Sequence, residues 1–266
     1  MTSENLVLLE RDDRGVATVT LNRPERHNAL SGGLIDALTA TLVQLHEDPT
    51  IRVVVLAAAG PTFCAGADID EMRRAAGATP GDNEREARRL ANLLVQLDAL
   101  AHPVVARIQG HGFGGALGLV AACDVAVASE AAQFALTEVR LGIVPAMISP
   151  FVLRAIGARQ ARRYFLTAER FDAAAAERLG LVHQVVPAEA LDSAVAGLVA
   201  ELLKGAPGAQ AEAKRLIRHV TGRSDDQDRA FAVETAHWIA RLRALEEGRE
   251  GLGAFLERRA PAWRHD

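Results

Sequence analysis

An apolar run, Pro103 to Ile108, opens onto five glycines within nine positions, Gly110 to Gly118, and then onto small residues ending near Cys123. The apolar run reads as a buried strand and Ala116 to Cys123 as a short helix. A strand that passes through glycines into a helix aims free backbone N–H groups at one point in space. Such a point holds negative charge, either standing, as on a phosphate, or developing in a reaction, as on an oxyanion.

The chain around this stretch alternates strand and helix. Val16 to Leu21 alternates and is rich in β-formers, so it reads as a strand. Ser31 caps a helix predicted to run to about His46, with Leu34, Leu38, Leu42 and Leu45 on one face. Val53 to Ala57 is continuously apolar, as expected of a strand covered on both faces. After the Gly60-Pro61 turn comes a second small-residue loop, Phe63 to Ile69. Ala75 to Asn83 reads as a surface loop near a site, and Glu84 to Leu100 as a helix. Asp124 to Ala128 is the next strand, with a short one expected at Phe134 to Glu138. From Ser149 helices dominate, at 150–156, 158–166, 172–178, 187–203, 207–220 and 225–246, with a brief strand at His183 to Val186. The pattern predicts an α/β fold with a parallel, helix-covered sheet and a helical tail. No repeat of 20 to 50 residues is visible. A composition shift at Gly205 to Gly208 divides the chain into a core, 1–204, and a helical region, 205–266.

Gly110, Gly112 and Gly115 satisfy G-x-G-x-x-G, with Glu130 twenty residues after the first. This is the dinucleotide fingerprint on its face. The predicted helix is very short for that unit, and glycine continues at Gly114 and Gly118 beyond what the fingerprint uses. The other reading pairs two loops. Ala65-Gly66-Ala67 and Gly114-Gly115-Ala116 both follow predicted strands of one sheet, so their ends lie on one edge. One N–H from each could converge on a carbonyl oxygen. Tight packing corners would produce the same glycines, and spacing alone leaves both readings open.

Charge argues against a nucleic-acid surface: the formal net charge is −4, and Lys occurs only as Lys204 and Lys214. Met1 to Glu10 lacks a basic segment ahead of an apolar one, so no signal peptide is expected. No apolar run reaches membrane-span length. The expectation is a cytoplasmic protein that meets neither membrane nor nucleic acid. Cys64 and Cys123 read as buried filler.

Leu21-Asn22-Arg23-Pro24-Glu25-Arg26-His27-Asn28-Ala29-Leu30, Phe63 to Ile69, Gly110 to Ala116, Ala132 to Pro145, Leu166-Thr167-Ala168 and Ala176 to Val182 follow one another at a characteristic spacing. In this the chain resembles the enoyl-CoA hydratase/isomerase, or crotonase, superfamily over almost its whole length. The resemblance implies a crotonase-like ββα-spiral core with a C-terminal helical trimerisation region, hence a homotrimer or a dimer of trimers. It implies a coenzyme A thioester as substrate, with no cofactor and no metal. By position, the backbone N–H groups of Ala67 and Gly115 would be the oxyanion donors and Glu138 the acid/base. Arg26, His27, Ala29, Ala65, Asp68 and Ile69, together with Gly114 and Gly118, fall at positions that contact coenzyme A or substrate.

One position departs from the pattern. Hydratases of the family commonly hold a water between two glutamates; the second matches Glu138, and the first falls at Gly118. Gly114 to Leu119, Glu138 to Phe151 and Ala161 to Phe171 resemble bacterial 3-methylglutaconyl-CoA and isohexenylglutaconyl-CoA hydratases, whose substrates carry a second carboxylate. That carboxylate, or a water it orders, is expected to substitute for the missing glutamate. The leading expectation is a hydro-lyase that adds water to a 2-enoyl-CoA. A single glutamate also suits a Δ3,Δ2-enoyl-CoA isomerase, and the missing glutamate admits a non-catalytic scaffold or RNA-binding protein. Arg154, Arg159, Arg162 and Arg163 cluster and read as a solvated or subunit-facing surface, with recognition of the distal carboxylate or of coenzyme A phosphates as the alternative. His27 and His111 read as structural. Phe231, Trp238, Phe255 and Trp263 read as packing residues of the tail.

Overall fold

The computed structural model describes residues 6–264; the first five residues of the Met1 to Glu10 stretch lie outside it. The chain runs β1 (Val7–Arg11), β2 (Val16–Leu21), α1 (Gly32–Glu47), β3 (Val53–Ala58), β4 (Thr62–Cys64), α2 (Ile69–Ala76), α3 (Pro80–Ala99), β5 (Val104–Ile108), β6 (His111–Phe113), α4 (Gly115–Ala122), β7 (Val125–Ser129) and β8 (Gln133–Ala135). A 3₁₀ turn at Glu138–Leu141 follows. Then come α5 (Ser149–Thr167), β9 (Phe171–Asp172), α6 (Ala173–Leu179), β10 (Gln184–Val186), α7 (Leu191–Leu203), α8 (Pro207–Val220), α9 (Asp225–Ala244) and α10 (Glu246–Leu256).

The strands form two sheets. The larger has the order β1-β2-β3-β5-β7-β10, and the smaller has the order β4-β6-β8-β9. All neighbours in the larger sheet are parallel except β1 with β2. Three successive turns of chain each lay one strand in the large sheet, one in the small sheet, and then a helical segment. These turns begin at β3, β5 and β7, which start at residues 53, 104 and 125. This is the ββα spiral. The unequal spacing of the turns is why no sequence period betrays it.

Alternation divides the large sheet between two cores. Val54, Leu56, Val104, Ala106 and Ala126 face the side covered by α1, α3 and α4. Val53, Val55, Val105 and Val127 face Leu191, Val195 and Val199 of α7. β3 is buried along its whole length, which explains its unbroken apolar sequence. Ser31 caps α1 by accepting from the Leu34 N–H.

Several expectations need correction. Ala75 to Asn83 is not one loop: α2 runs to Ala76, and Thr79 caps α3, with Pro80 in its first turn. α2 itself, β1, β9 and α10 went unread, because each is short or lacks a clean period. The break expected between helices at 150–156 and 158–166 is present: Gly157, with φ 72° and ψ 155°, is non-helical and divides α5 there. The dinucleotide reading fails in its local geometry. Gly112 lies within β6, and a strand therefore stands between the first glycine and the helix. Gly110 is a packing glycine: a Cβ there would lie 1.9 Å from the Pro61 carbonyl oxygen. Cys64 and Cys123 are both buried and unpaired, and burial pushes the Cys64 thiol up to about 12. Among the described residues no helix is long and apolar enough to cross a membrane.

Candidate active site

The three strands that build the site are neighbours in the small sheet, not in the large one. β4 pairs parallel with β6, and β6 parallel with β8. Their C-terminal ends therefore point the same way, and each releases a loop there. The first loop carries Ala67, the second Gly115, and the third Glu138. Loops leaving the C-terminal ends of adjacent parallel strands are where α/β folds place their ligands. The Gly114 N–H donates to the Ala135 carbonyl at 2.9 Å, tying the second loop to the third.

The first two loops touch. Gly66 has φ 87°, and a Cβ on it would lie 2.7 Å from the Phe113 carbonyl oxygen. Only glycine allows both that conformation and that approach. Leu30 fastens the first loop: its N–H donates to Gly66 at 2.7 Å and its carbonyl accepts from Asp68 at 3.4 Å. These bonds on either side of Ala67 point its own N–H away from Leu30. Gly115 begins α4, so its N–H has no partner within the helix. Among the described residues neither N–H is spent on another protein acceptor.

Glu138 stands against the same corner. A Cβ on Gly114 would lie 3.1 Å from Glu138 Oε1. As a residue Glu138 is half-buried, but its Oε2 is shielded from water and has no hydrogen-bond partner. Burial pushes its carboxyl up to about 7, offset only by its own backbone N–H. Near neutrality such a group can both take and return a proton.

The segment Arg23 to Leu30 forms one wall. His27 and Asn28 both have left-handed φ, 51° and 53°. Asn28 is fully buried, donating to the carbonyls of Ala59 and Thr62 and accepting from the Arg23 N–H. Arg23 Nη1 meets Asp68 Oδ2 at 2.6 Å. Asp68 also caps α2, accepting from the N–H groups of Asp70 and Glu71. Burial alone would raise the Asp68 carboxyl; Arg23 and the two N–H groups outweigh it and hold it below the usual carboxylate range. Its side chain is therefore committed to the protein rather than to a ligand.

A cavity of about 590 Å³ joins these parts. Arg26, His27, Ala29, Ala65, Asp68, Ile69, Gly114, Gly115, Ala67 and Glu138 all line it. Gly118 does not. It is buried within α4, where a Cβ would lie 2.4 Å from Ile148 Cγ2 and 3.0 Å from Leu94 Cδ1. Two apolar side chains therefore occupy the space into which a glutamate at 118 would project. Ile148 then borders the cavity itself, with Ile143, Met147 and Leu90.

The basic cluster lies elsewhere. Arg154 pairs with Asp98 and Asp228, and Arg163 with Glu169; none of Arg154, Arg159, Arg162 and Arg163 lines the cavity. His111 accepts from the Gln133 N–H, a structural latch between β6 and β8. Sequence reasoning missed the far wall. Ile239 and Arg243 of α9 and Leu252 and Phe255 of α10 line the cavity of their own chain. No local signal marks them, because Ile239 and the wall residues after it lie a hundred or more positions beyond Glu138. Phe255, expected only to pack, is half-exposed at this wall.

The model of the enoyl-CoA hydratase/isomerase family matches residues 11–266. The chain belongs to this family. An enoyl-CoA hydratase from Mycobacterium avium is 39% identical, covers 97% of this chain and 99% of its own, and superposes with a TM-score of 0.83. One from Shewanella pealeana is 38% identical over 99% and 100% of the two chains, with a TM-score of 0.79. Mevalonyl-coenzyme A hydratase from Aspergillus fumigatus is 32% identical over 94% of this chain and 91% of its own length. The protein is an enzyme of the hydro-lyase type on a crotonase fold.

Proposed function

We propose that this enzyme adds water to a branched 2-enoyl-CoA bearing a second carboxylate, of the 3-methylglutaconyl-CoA type, using one glutamate. The pairing of an unpartnered Glu138 with an apolar plug over Gly118 supports the single-glutamate mechanism, while the carboxylated substrate rests on the resemblance of Gly114 to Leu119, Glu138 to Phe151 and Ala161 to Phe171 to hydratases of such substrates. The N–H groups of Ala67 and Gly115 would take the thioester oxygen, each donor contributing roughly 3 kcal/mol once charge develops there. Polarisation makes C3 electrophilic. Ionised Glu138 accepts a proton from water as the water oxygen bonds to C3 and the π electrons move to the thioester oxygen. Collapse of the enolate then takes that proton back from Glu138 to C2. One carboxylate thus serves as base and acid, and returns ionised. A carboxyl near 7 suits both halves.

Ala65, Gly114, Ala29 and Ile69 offer small or apolar surface along the thioester, while Arg26 and His27 sit at the rim where coenzyme A phosphates would lie. The chemistry draws on the chain's own groups, with coenzyme A entering as part of the substrate. Ile148 and Leu94 argue against the substrate carboxylate standing in for the missing glutamate, since they leave no polar space beside Gly118. Exposed Leu216, Ile217, Val220 and Trp238 on α8 and α9 suit burial between subunits of a trimer or a dimer of trimers.

The test is a panel of 3-methylglutaconyl-CoA, crotonyl-CoA and a 3-enoyl-CoA, with products separated by chromatography. Selective hydration of the carboxylated substrate is expected. Conversion of the 3-enoyl to the 2-enoyl thioester without hydration would instead make the enzyme an isomerase. Absence of turnover on all three would leave a scaffold.

A further inference from the structure

The far wall of the cavity contains a cation that the chemistry at Glu138 does not use. Arg243, in the last turn of α9, is 11% exposed, and its Nη1 is buried without a hydrogen-bond partner. Its nearest counter-charge is Glu86 on α3, whose Oε1 is 3.8 Å away, too far for a hydrogen bond. Ile239 lies one turn earlier on the same helix and packs with Ile143 and Ala87, and these apolar side chains line the same cavity as Arg243. A buried guanidinium with unused donors is costly to fold. The surrounding structure leaves it facing the cavity, with Glu86 offering charge but no hydrogen bond.

We propose that Arg243 is the binding site for a carboxylate at the far end of the acyl chain. The planar fork of Arg matches a carboxylate through two parallel bonds. An acyl group ending in methyl would bury against the same fork and leave it unsatisfied, so the site rejects plain chains as well as accepting carboxylated ones. Arg26, by contrast, is exposed and already paired with Asp70 at 3.2 Å, which suits the rim and the phosphates rather than the chain end. This assignment rests on the proposed carboxylated substrate for its role in turnover, but it makes a binding claim that needs no turnover.

The experiment measures the affinity of two unreactive thioesters, glutaryl-CoA and butyryl-CoA, by calorimetry. The native enzyme should bind glutaryl-CoA about 30-fold more tightly, within the range for satisfying rather than stranding a buried charged donor. Arg243→Met should bring the two within about threefold of each other, and Arg243→Lys, which keeps the charge and loses the fork, should fall between. Equal affinities in the native enzyme would overturn the proposal. So would an equal loss for both ligands in Arg243→Met, which would assign the guanidinium to a coenzyme A phosphate or to the fold. If the native enzyme prefers glutaryl-CoA through Arg243 yet fails to hydrate 3-methylglutaconyl-CoA, the reaction assigned above falls and the carboxylate site stands.

Discussion

Glu138 and Asp68 border the same cavity, and burial works against the ionised form of each, yet their carboxyls move in opposite directions. Asp68 is 4% exposed, but it receives Arg23 and two N–H groups at the start of α2, and it stays ionised. Glu138 receives nothing beyond its own backbone N–H and rises to about 7. The neighbours decide the outcome, since desolvation acts on both. A carboxylate committed to the scaffold is one the chemistry cannot use, whereas one left unpartnered is available to move a proton. The same cavity thus contains a carboxylate bound into the scaffold next to Ala67 and another left without a partner.

The sharpest way to break this contrast is Glu138→Gln. It should lower kcat/KM for hydration by about 10³-fold, within the usual range for a general acid–base group. Steady-state assays on the preferred enoyl-CoA measure this; near-native turnover would remove Glu138 from the mechanism. The same variant should be more stable at pH 8. Because the native carboxyl binds its proton more tightly than the unfolded one, the native state is favoured most below pH 4.5. It loses that advantage as pH rises from 4.5 to about 7. The glutamine removes a penalty of about 3 kcal/mol above that window, readable as a higher Tm at pH 8 and a flatter Tm profile between pH 5 and 8.

Next in size is Gly66→Ala, which leaves both carboxylates in place and separates the two loops. The 2.7 Å approach to Phe113 and the φ of 87° cannot accommodate a Cβ, so Ala67 should lose its alignment and kcat about 10²-fold, the cost of one oxyanion donor. A loss of folding stability with kcat intact would show that the loop contact serves packing alone.

Asp68→Asn should do the reverse of Glu138→Gln. It strands Arg23, which is nearly as buried, and costs about 3 kcal/mol in urea unfolding at pH 7. Asp68's contribution is present above its unfolded value near 3.8 and disappears as pH falls through its lower native value. The variant should therefore converge with the native protein in acid. Unchanged stability at pH 7 would deny Asp68 its structural role.

The smallest effect is the pH profile of the native enzyme. Ionised Glu138 starts the reaction, so kcat/KM should rise with pH through about 7 and gain about tenfold between pH 6 and pH 8. A profile flat across that range would show that burial does not tune this carboxyl.

The glycine-rich stretch, the loop at Ala65 to Ala67 and the capped helix after Ser31 were legible because each depends on nearby residues, whereas Glu138 stood out only through the family resemblance. Backbone N–H groups are freed where a strand meets a helix, and glycine marks close approach wherever it occurs. The small sheet was not legible in the same way. β4 and β6 are three residues each, too short for a periodic signal, and they read as loop text. Their pairing is what turns three loops toward one point.

Gly118 shows the division most plainly. Its sequence position announced a missing carboxylate, and nothing local could say what fills the space. Ile148, thirty residues on, covers it. Arg243 is the counterpart at the far wall of the cavity: in sequence it is one of three arginines on α9, and only the packing of α9 against α3 buries it and leaves its Nη1 without a hydrogen-bond partner. The sequence by itself determined the strand–glycine–helix corners, because φ, Cβ clearance and helix-end donors are local properties. The tertiary structure alone decided which carboxylate is left without a partner and which guanidinium is buried at the cavity wall, because desolvation and pairing depend on neighbours that arrive from distant parts of the chain.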